Sequence, residues 1–168
     1  MTKPSYKDFD EYYSLRSEVL NLEDGSRSPG FKYVKSKILC HKRVLDVGCG
    51  RGMYLSPISG LNKEIIGIDY NADNVSLLKK HGFDVHRCDA VVNIPEALGK
   101  FDAVICAEVV EHLADDEVSA LLKNVHSRME TDGILIITVP YRERFDQNVV
   151  VCPKCKVAFH RHGHKRRY

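Results

Sequence analysis

The sequence of 168 residues has no apolar run approaching the 18 or more that a membrane span needs. Its opening residues, MTKPSYKDFDEYY, hold no apolar stretch of the signal-peptide kind. It has no internal repeat and no low-complexity segment. Membrane, collagen-like, coiled-coil and disordered classes are thereby excluded, and the expectation is a soluble, cytoplasmic domain without a membrane partner. Composition agrees, with 43% hydrophobic and 29% charged residues. A chain this long buries about two-thirds of its unfolded surface, so it has no need of disulfide staples.

The net charge is only +2. Of the 25 Lys and Arg, however, six lie in residues 152–168, a stretch with no acid and three His, which leaves 19 bases against 23 acids before it. An acidic body carrying a basic tail suggests an anionic partner for the tail. The six cysteines divide in the same way. Cys40, Cys49, Cys88 and Cys106 stand singly in apolar or glycine-rich settings and read as buried thiols. Cys152 and Cys155 form a C-x2-C pair.

Three regions are expected: a helical segment over 1–42, an α/β domain over 43–150, and a basic Cys/His tail over 151–168. Helical spacing marks residues 5–20 and the run Phe31, Val34, Ile38, Leu39. Strands are then expected at RVLDV (43–47), EIIGID (64–69), FDVHRC (83–88), FDAVICA (101–107) and ILIITV (134–139). Asn71 is placed to cap a helix that stops at Gly82, and Val118, Leu121, Leu122, Val125 and Met129 mark another. The turn Thr131-Asp132-Gly133 leads into the fifth strand. Apolar strands alternating with helices indicate a Rossmann-like, doubly wound and mostly parallel sheet, with ligands at the strands' carboxyl ends.

Those ends carry a pattern. The first strand closes on Asp46-Val47-Gly48-Cys49-Gly50-Arg51-Gly52, where glycines let the backbone turn and approach a ligand. Asp69 ends the second strand, where a carboxylate can accept ribose hydroxyls, and Asp89 ends the third. VLDVGCGRG, IIGIDYN, CDA and FDAVICAEVVEHL together resemble the successive motifs of class I S-adenosylmethionine-dependent methyltransferases, in a type 11/23-like form with an ExxEH variant. The GxGxG spacing differs from the GxGxxG of dinucleotide dehydrogenases.

The resemblance implies S-adenosylmethionine as cofactor. Gly48, Gly50 and Gly52 would line its methionine part, Asp69 its ribose, and Asp89 with Ala90 its adenine; Asp46, Cys49 and Tyr70 join the cofactor-binding set, and Glu108 would lie near the sulfonium or the acceptor. It also implies seven strands, and the last two have no counterpart in the sequence read here. The rival reading is therefore a truncated or degenerate fold that binds a nucleotide or a partner chain. A five-strand sheet would leave an edge to be covered by the N-terminal helices, the tail, a second copy in a homodimer or a partner chain.

On the acceptor side, Glu108, Glu111 and His112 would share one face if a helix began at 108, at spacing i, i+3, i+4. They are the candidate catalytic group, either as base and orienter or as ligands of a divalent cation. ExxEH resembles terminal-ribose methyltransferases of small RNAs and quinone-biosynthesis O-methyltransferases. The acceptor would be an RNA ribose, a small-molecule hydroxyl or a glycan hydroxyl. In the tail, Cys152, Cys155, His160 and His164 have the ligand types and spacing of a compressed zinc site. Alternatively, His164 reaches back to complete the Glu108–Glu111–His112 group.

Overall fold

The computed structural model describes residues 22–27, 29–61, 63–151, 158–160 and 163–165. The helix expected over 5–20 and the Cys152–Cys155 pair lie outside these residues. The elements run α1 (Pro29–Ile38), β1 (Arg43–Val47), α2 (Leu55–Ser59), β2 (Glu64–Asp69), α3 (Ala72–Lys80), β3 (Val85–Arg87), β4 (Phe101–Ala107), α4 (Asp115–Ser127), β5 (Met129–Thr138), β6 (Val149–Val151) and β7 (Ala158–His160). Single 3-10 turns occupy Glu96–Leu98, Val110–His112 and Phe145–Asn148. None of the described helices is long and apolar enough to cross a membrane.

Five strands form one parallel sheet in the order β3-β2-β1-β4-β5, the expected doubly wound, Rossmann-like arrangement. The chain winds outward from β1 to β3, then crosses back to β4, so the order reverses between β1 and β4. A crevice opens at the carboxyl ends of strands flanking such a reversal. Side chains alternate across the sheet as a period of two demands. Val44, Ala103 and Ile105 bury against Phe31, Val34 and Ile38 of α1 and Ile58 of α2. Leu45, Val47, Val104 and Cys106 bury on the opposite face with Leu121 and Val125 of α4.

The local signals explain the element ends. Pro29 opens α1, where its missing N–H is no loss. The Asn71 side chain accepts the N–H groups of Asp73 (2.8 Å) and Asn74 (3.1 Å) at the start of α3. Gly82 follows α3 with φ of 82°, a left-handed stop. The N–H of Ala114 donates to the Glu117 carboxylate at 2.6 Å, closing the first turn of α4.

Four expectations need correction. No helix begins at 108: Glu108 takes a left-handed φ of 56°, and only a 3-10 turn follows at Val110–His112. The turn at 131–133 is strand instead, because β5 starts at Met129 and absorbs the extra residues in a register shift against β4 between Phe101 and Ala103. Cys40 is exposed just beyond α1, whereas Cys49, Cys88 and Cys106 are buried. An antiparallel pair does follow the fifth strand, but β6 and β7 make a separate two-stranded sheet. Among the described residues, no strand pairs with the outer edge of β5.

Candidate active site

The loop after β1 folds back over β2: the N–H groups of Gly48 and Cys49 both donate to the Ile68 carbonyl, at 2.8 and 3.1 Å. Gly48 has φ of 70°, and a Cβ there would sit 2.6 Å from Val109 Cγ2. Both the backbone conformation and the close approach of the loop after β4 therefore require glycine. At Gly52 (φ 88°) a Cβ would meet Leu78 Cδ2 of α3 at 2.8 Å. Cys49 is buried, and burial raises its thiol pKa well beyond the usual range, so its contribution is through the backbone rather than as a thiolate.

Asp69 ties this loop to the next. Its Oδ2 accepts the Gly50 N–H at 2.7 Å and its Oδ1 accepts the Asn71 N–H at 2.8 Å. Asn74 Nδ2 also donates to Oδ1, at 3.5 Å. Tyr70 follows at the strand end, and its carbonyl accepts from Arg87 Nε at 3.2 Å. The Asp89 carboxylate accepts the Val91 N–H at 3.1 Å, bending the chain after β3. That bend is held from α4, where Asn124 Nδ2 donates to the Ala90 and Val91 carbonyls at 2.9 and 3.0 Å.

Asp46 lies beneath the loop. It is 2% exposed, and its Oδ2 has no hydrogen-bond partner among the described residues. Burial, assisted by the nearby Asp69 carboxylate, pushes its pKa up to about 7. In the free protein this sets a stability slope. The folded state holds the Asp46 proton up to about pH 7, whereas the unfolded chain releases it near the ordinary value of 3.8. Stability contributed by this group is full below about pH 4 and is lost as pH rises from there to about 7, at about 1.4 kcal/mol per unit of separation. Asp46→Asn is expected to flatten that part of the thermal stability profile and to raise the melting temperature at pH 8. Parallel profiles for the two proteins would refute it.

The other part of the candidate site is built from the loop after β4. Glu108 is exposed and anchored to β5: its N–H donates to the Thr138 carbonyl at 3.0 Å, and Thr138 Oγ1 donates to its carboxylate at 2.9 Å. Glu111, by contrast, is 1% exposed, and neither carboxylate oxygen has a hydrogen-bond partner among the described residues. Burial pushes its pKa up to about 8 against the pull of its own backbone, and the Glu108 and Glu143 carboxylates add to the rise. His112 Nε2 stands 4.0 Å from Glu111 Oε1.

The segment 163–165 docks here. The Lys165 N–H donates to the Glu111 carbonyl at 2.6 Å, and Lys165 Nζ meets the Glu117 carboxylate at 3.3 Å. His164 lies edge-on to His112, with ring centroids 4.9 Å apart. Possible metal-ligand atoms gather in two groups among the described residues, each within 4.8 Å: Glu111, His112 and His164, and Glu143, His160 and His164. Glu108 belongs to neither.

Sequence reasoning overlooked Glu143, Asn124, Thr138 and Tyr54. Tyr54 is buried just after the glycine loop, within electrostatic reach of Glu108 and Asp46. An aromatic directly after the loop was its only signal. Glu143 had none, because its histidine partners lie 17 and 21 residues away.

Ubiquinone biosynthesis O-methyltransferase of Bradyrhizobium diazoefficiens is 35% identical over 101 residues, covering 57% of this chain and 39% of the relative. The enzyme of the same name from Rhodopseudomonas palustris is 36% identical over 100 residues, covering 56% and 38%. The chain thus spans about two-fifths of the length of these curated relatives. Among solved structures, a SAM-dependent methyltransferase from Archaeoglobus fulgidus aligns with a TM-score of 0.55 at 27% identity, over 78% of this chain and 59% of that one. The glycopeptide N-methyltransferase MtfA in complex with sinefungin aligns at 0.65 and 13% identity, over 82% and 58%, a likeness of fold. The methyltransferase-domain family pattern matches residues 10–166, and the chain belongs to that family.

Proposed function

We propose that this protein transfers a methyl group from S-adenosylmethionine to an oxygen acceptor. The observation that carries the reading is the buried Asp46 carboxylate, without a partner at Oδ2, under a glycine loop tied to Asp69 at the sheet's reversal point. A ligand carrying an ammonium and a sulfonium offsets two adjacent carboxylates, and the backbone at Gly48 and Gly50 leaves room for it to approach. When bound, the cofactor supplies an already activated methyl electrophile.

The protein's own part is then alignment and proton removal. Asp69 holds the cofactor's ribose hydroxyls while keeping its bonds to Gly50 and Asn71, and the Asp89–Ala90 bend, braced by Asn124, borders the adenine. His112 is partly exposed and accessible to an acceptor hydroxyl. Its imidazole takes the hydroxyl proton, and the buried Glu111 carboxylate stabilises the resulting imidazolium. Docking of Lys165 on Glu111 and Glu117 shields this side from water.

The relatives' printed names support an oxygen acceptor. The basic character of residues 152–168 favours an anionic one: an RNA ribose, or a small molecule or glycan bearing phosphate or carboxylate. Titration calorimetry with adenosylhomocysteine should give micromolar binding, about −8 kcal/mol. Incubation with adenosylmethionine and hydroxyl acceptors should produce adenosylhomocysteine. Binding of NAD without adenosylhomocysteine would refute the cofactor, and binding without turnover on any acceptor class would leave a nucleotide-binding module.

A further inference from the structure

The three side chains Glu143, His160 and His164 come from three separate places: the loop after β5, the end of β7 and the docked segment. All three are withdrawn from solvent, with side-chain exposures of 14%, 2% and 10%. They belong to none of the apolar clusters of the core. Burying a carboxylate and two imidazoles together is costly unless something compensates them. The geometry is specific. His160 Nε2 lies 3.4 Å from Glu143 Oε1, and His164 Nδ1 lies 2.5 Å from Glu143 Oε2. Asn148 Nδ2 donates to Oε1 at 3.1 Å and fixes the carboxylate. His160 Nδ1 accepts the His164 N–H at 3.4 Å, which turns Nε2 toward Glu143.

We propose that Glu143, His160 and His164 bind one divalent cation of the zinc class, and that this cation fixes residues 158–160 and 163–165 across the acceptor side. Two imidazoles and one carboxylate are borderline donors that suit zinc, with a fourth position left for water or another donor. Ligands about 2.0–2.1 Å from a tetrahedral ion stand about 3.4 Å from one another, the separation already present between His160 and Glu143. The shorter contact between His164 and Glu143 is a hydrogen bond between the two atoms that the cation would join.

Choosing this group over Glu111, His112 and His164 follows from His164. Its Nδ1 is committed to the Glu143 side, and one imidazole nitrogen cannot serve two ions. The His164 ring also meets the His112 ring in a T-shaped contact, and the next residue bonds Glu111. Securing His160 and His164 thus also secures the contact of Lys165 with Glu111. The proposal concerns ion binding and holds whatever the acceptor is.

The test uses the full chain, stripped with chelator, dialysed and titrated with zinc by calorimetry and with cobalt by absorption. One equivalent should bind. Glu143→Gln, nearly isosteric, and His160→Gln should each weaken binding about tenfold or more. His112→Ala and the Cys152→Ser/Cys155→Ser double variant should bind as the parent does, and cobalt should give no thiolate charge-transfer band. Zinc should also slow exchange of the Lys165 amide in the parent but not in Glu143→Gln. Circular dichroism would establish that each variant is folded. Absence of zinc uptake by the folded parent would overturn the proposal. So would loss of binding in the His112 or cysteine variants with retention in Glu143→Gln, which would move the ion to Glu111 and His112 or to the thiolates.

Discussion

Replacing His112 with alanine is expected to lower turnover of a hydroxyl acceptor by about 10²- to 10⁴-fold, the range of a positioned general base. Affinity for adenosylhomocysteine should not change. The two effects separate because His112 sits on the turn Val110–His112 after β4, whereas the cofactor loops follow β1, β2 and β3. Glu111→Gln keeps the side chain's shape and removes its charge, so it should also slow turnover, by depriving the imidazolium of its counter-charge. It should further remove a pH dependence. The buried Glu111 carboxyl titrates near pH 8, so its charge, and the rate that depends on it, grows as pH rises through about 8. A His112→Ala protein with unchanged turnover, or a Glu111→Gln protein with the parent's pH profile, would remove these residues from the reaction.

The second large effect belongs to Asp69. Asp69→Ala should weaken adenosylhomocysteine binding by about 1.5–3 kcal/mol, roughly 10- to 150-fold, the worth of a hydrogen bond to a charged group. It should also loosen the free protein, because the same carboxylate accepts the Gly50 and Asn71 N–H groups and leaves both without an acceptor when removed. Asn71→Ala provides the control. It removes the α3 cap, at about 1 kcal/mol of stability, but leaves the Asp69 carboxylate in place, so cofactor affinity should change far less. Equal losses of affinity in the two variants would mean that Asp69 acts only by shaping the loop.

Sequence alone determined the framework because its signals are local. All five main-sheet strands could be placed from short apolar runs, three of them with the bounds observed. The Asn71 cap and the Gly82 stop depend on residues within a turn of the helix they bound. Asp46, Asp69 and Asp89 could be placed near strand ends for the same reason: Asp46 is one residue before the end of β1, Asp69 is the end of β2, and Asp89 is two residues past β3. Tertiary structure decided the rest. Glu108 reads as the start of a helix from its neighbours, yet pairing with Thr138, 30 residues on, holds it in the left-handed region and separates it from Glu111 and His112. The length of β5 is set by what β4 offers as a partner, not by Gly133, which reads as a turn. The burial of Glu111 and the meeting of Glu143 with His160 and His164 are products of chain return. Contacts across 17 to 54 residues leave no periodicity behind, because the residues between them can be almost anything that closes the loop.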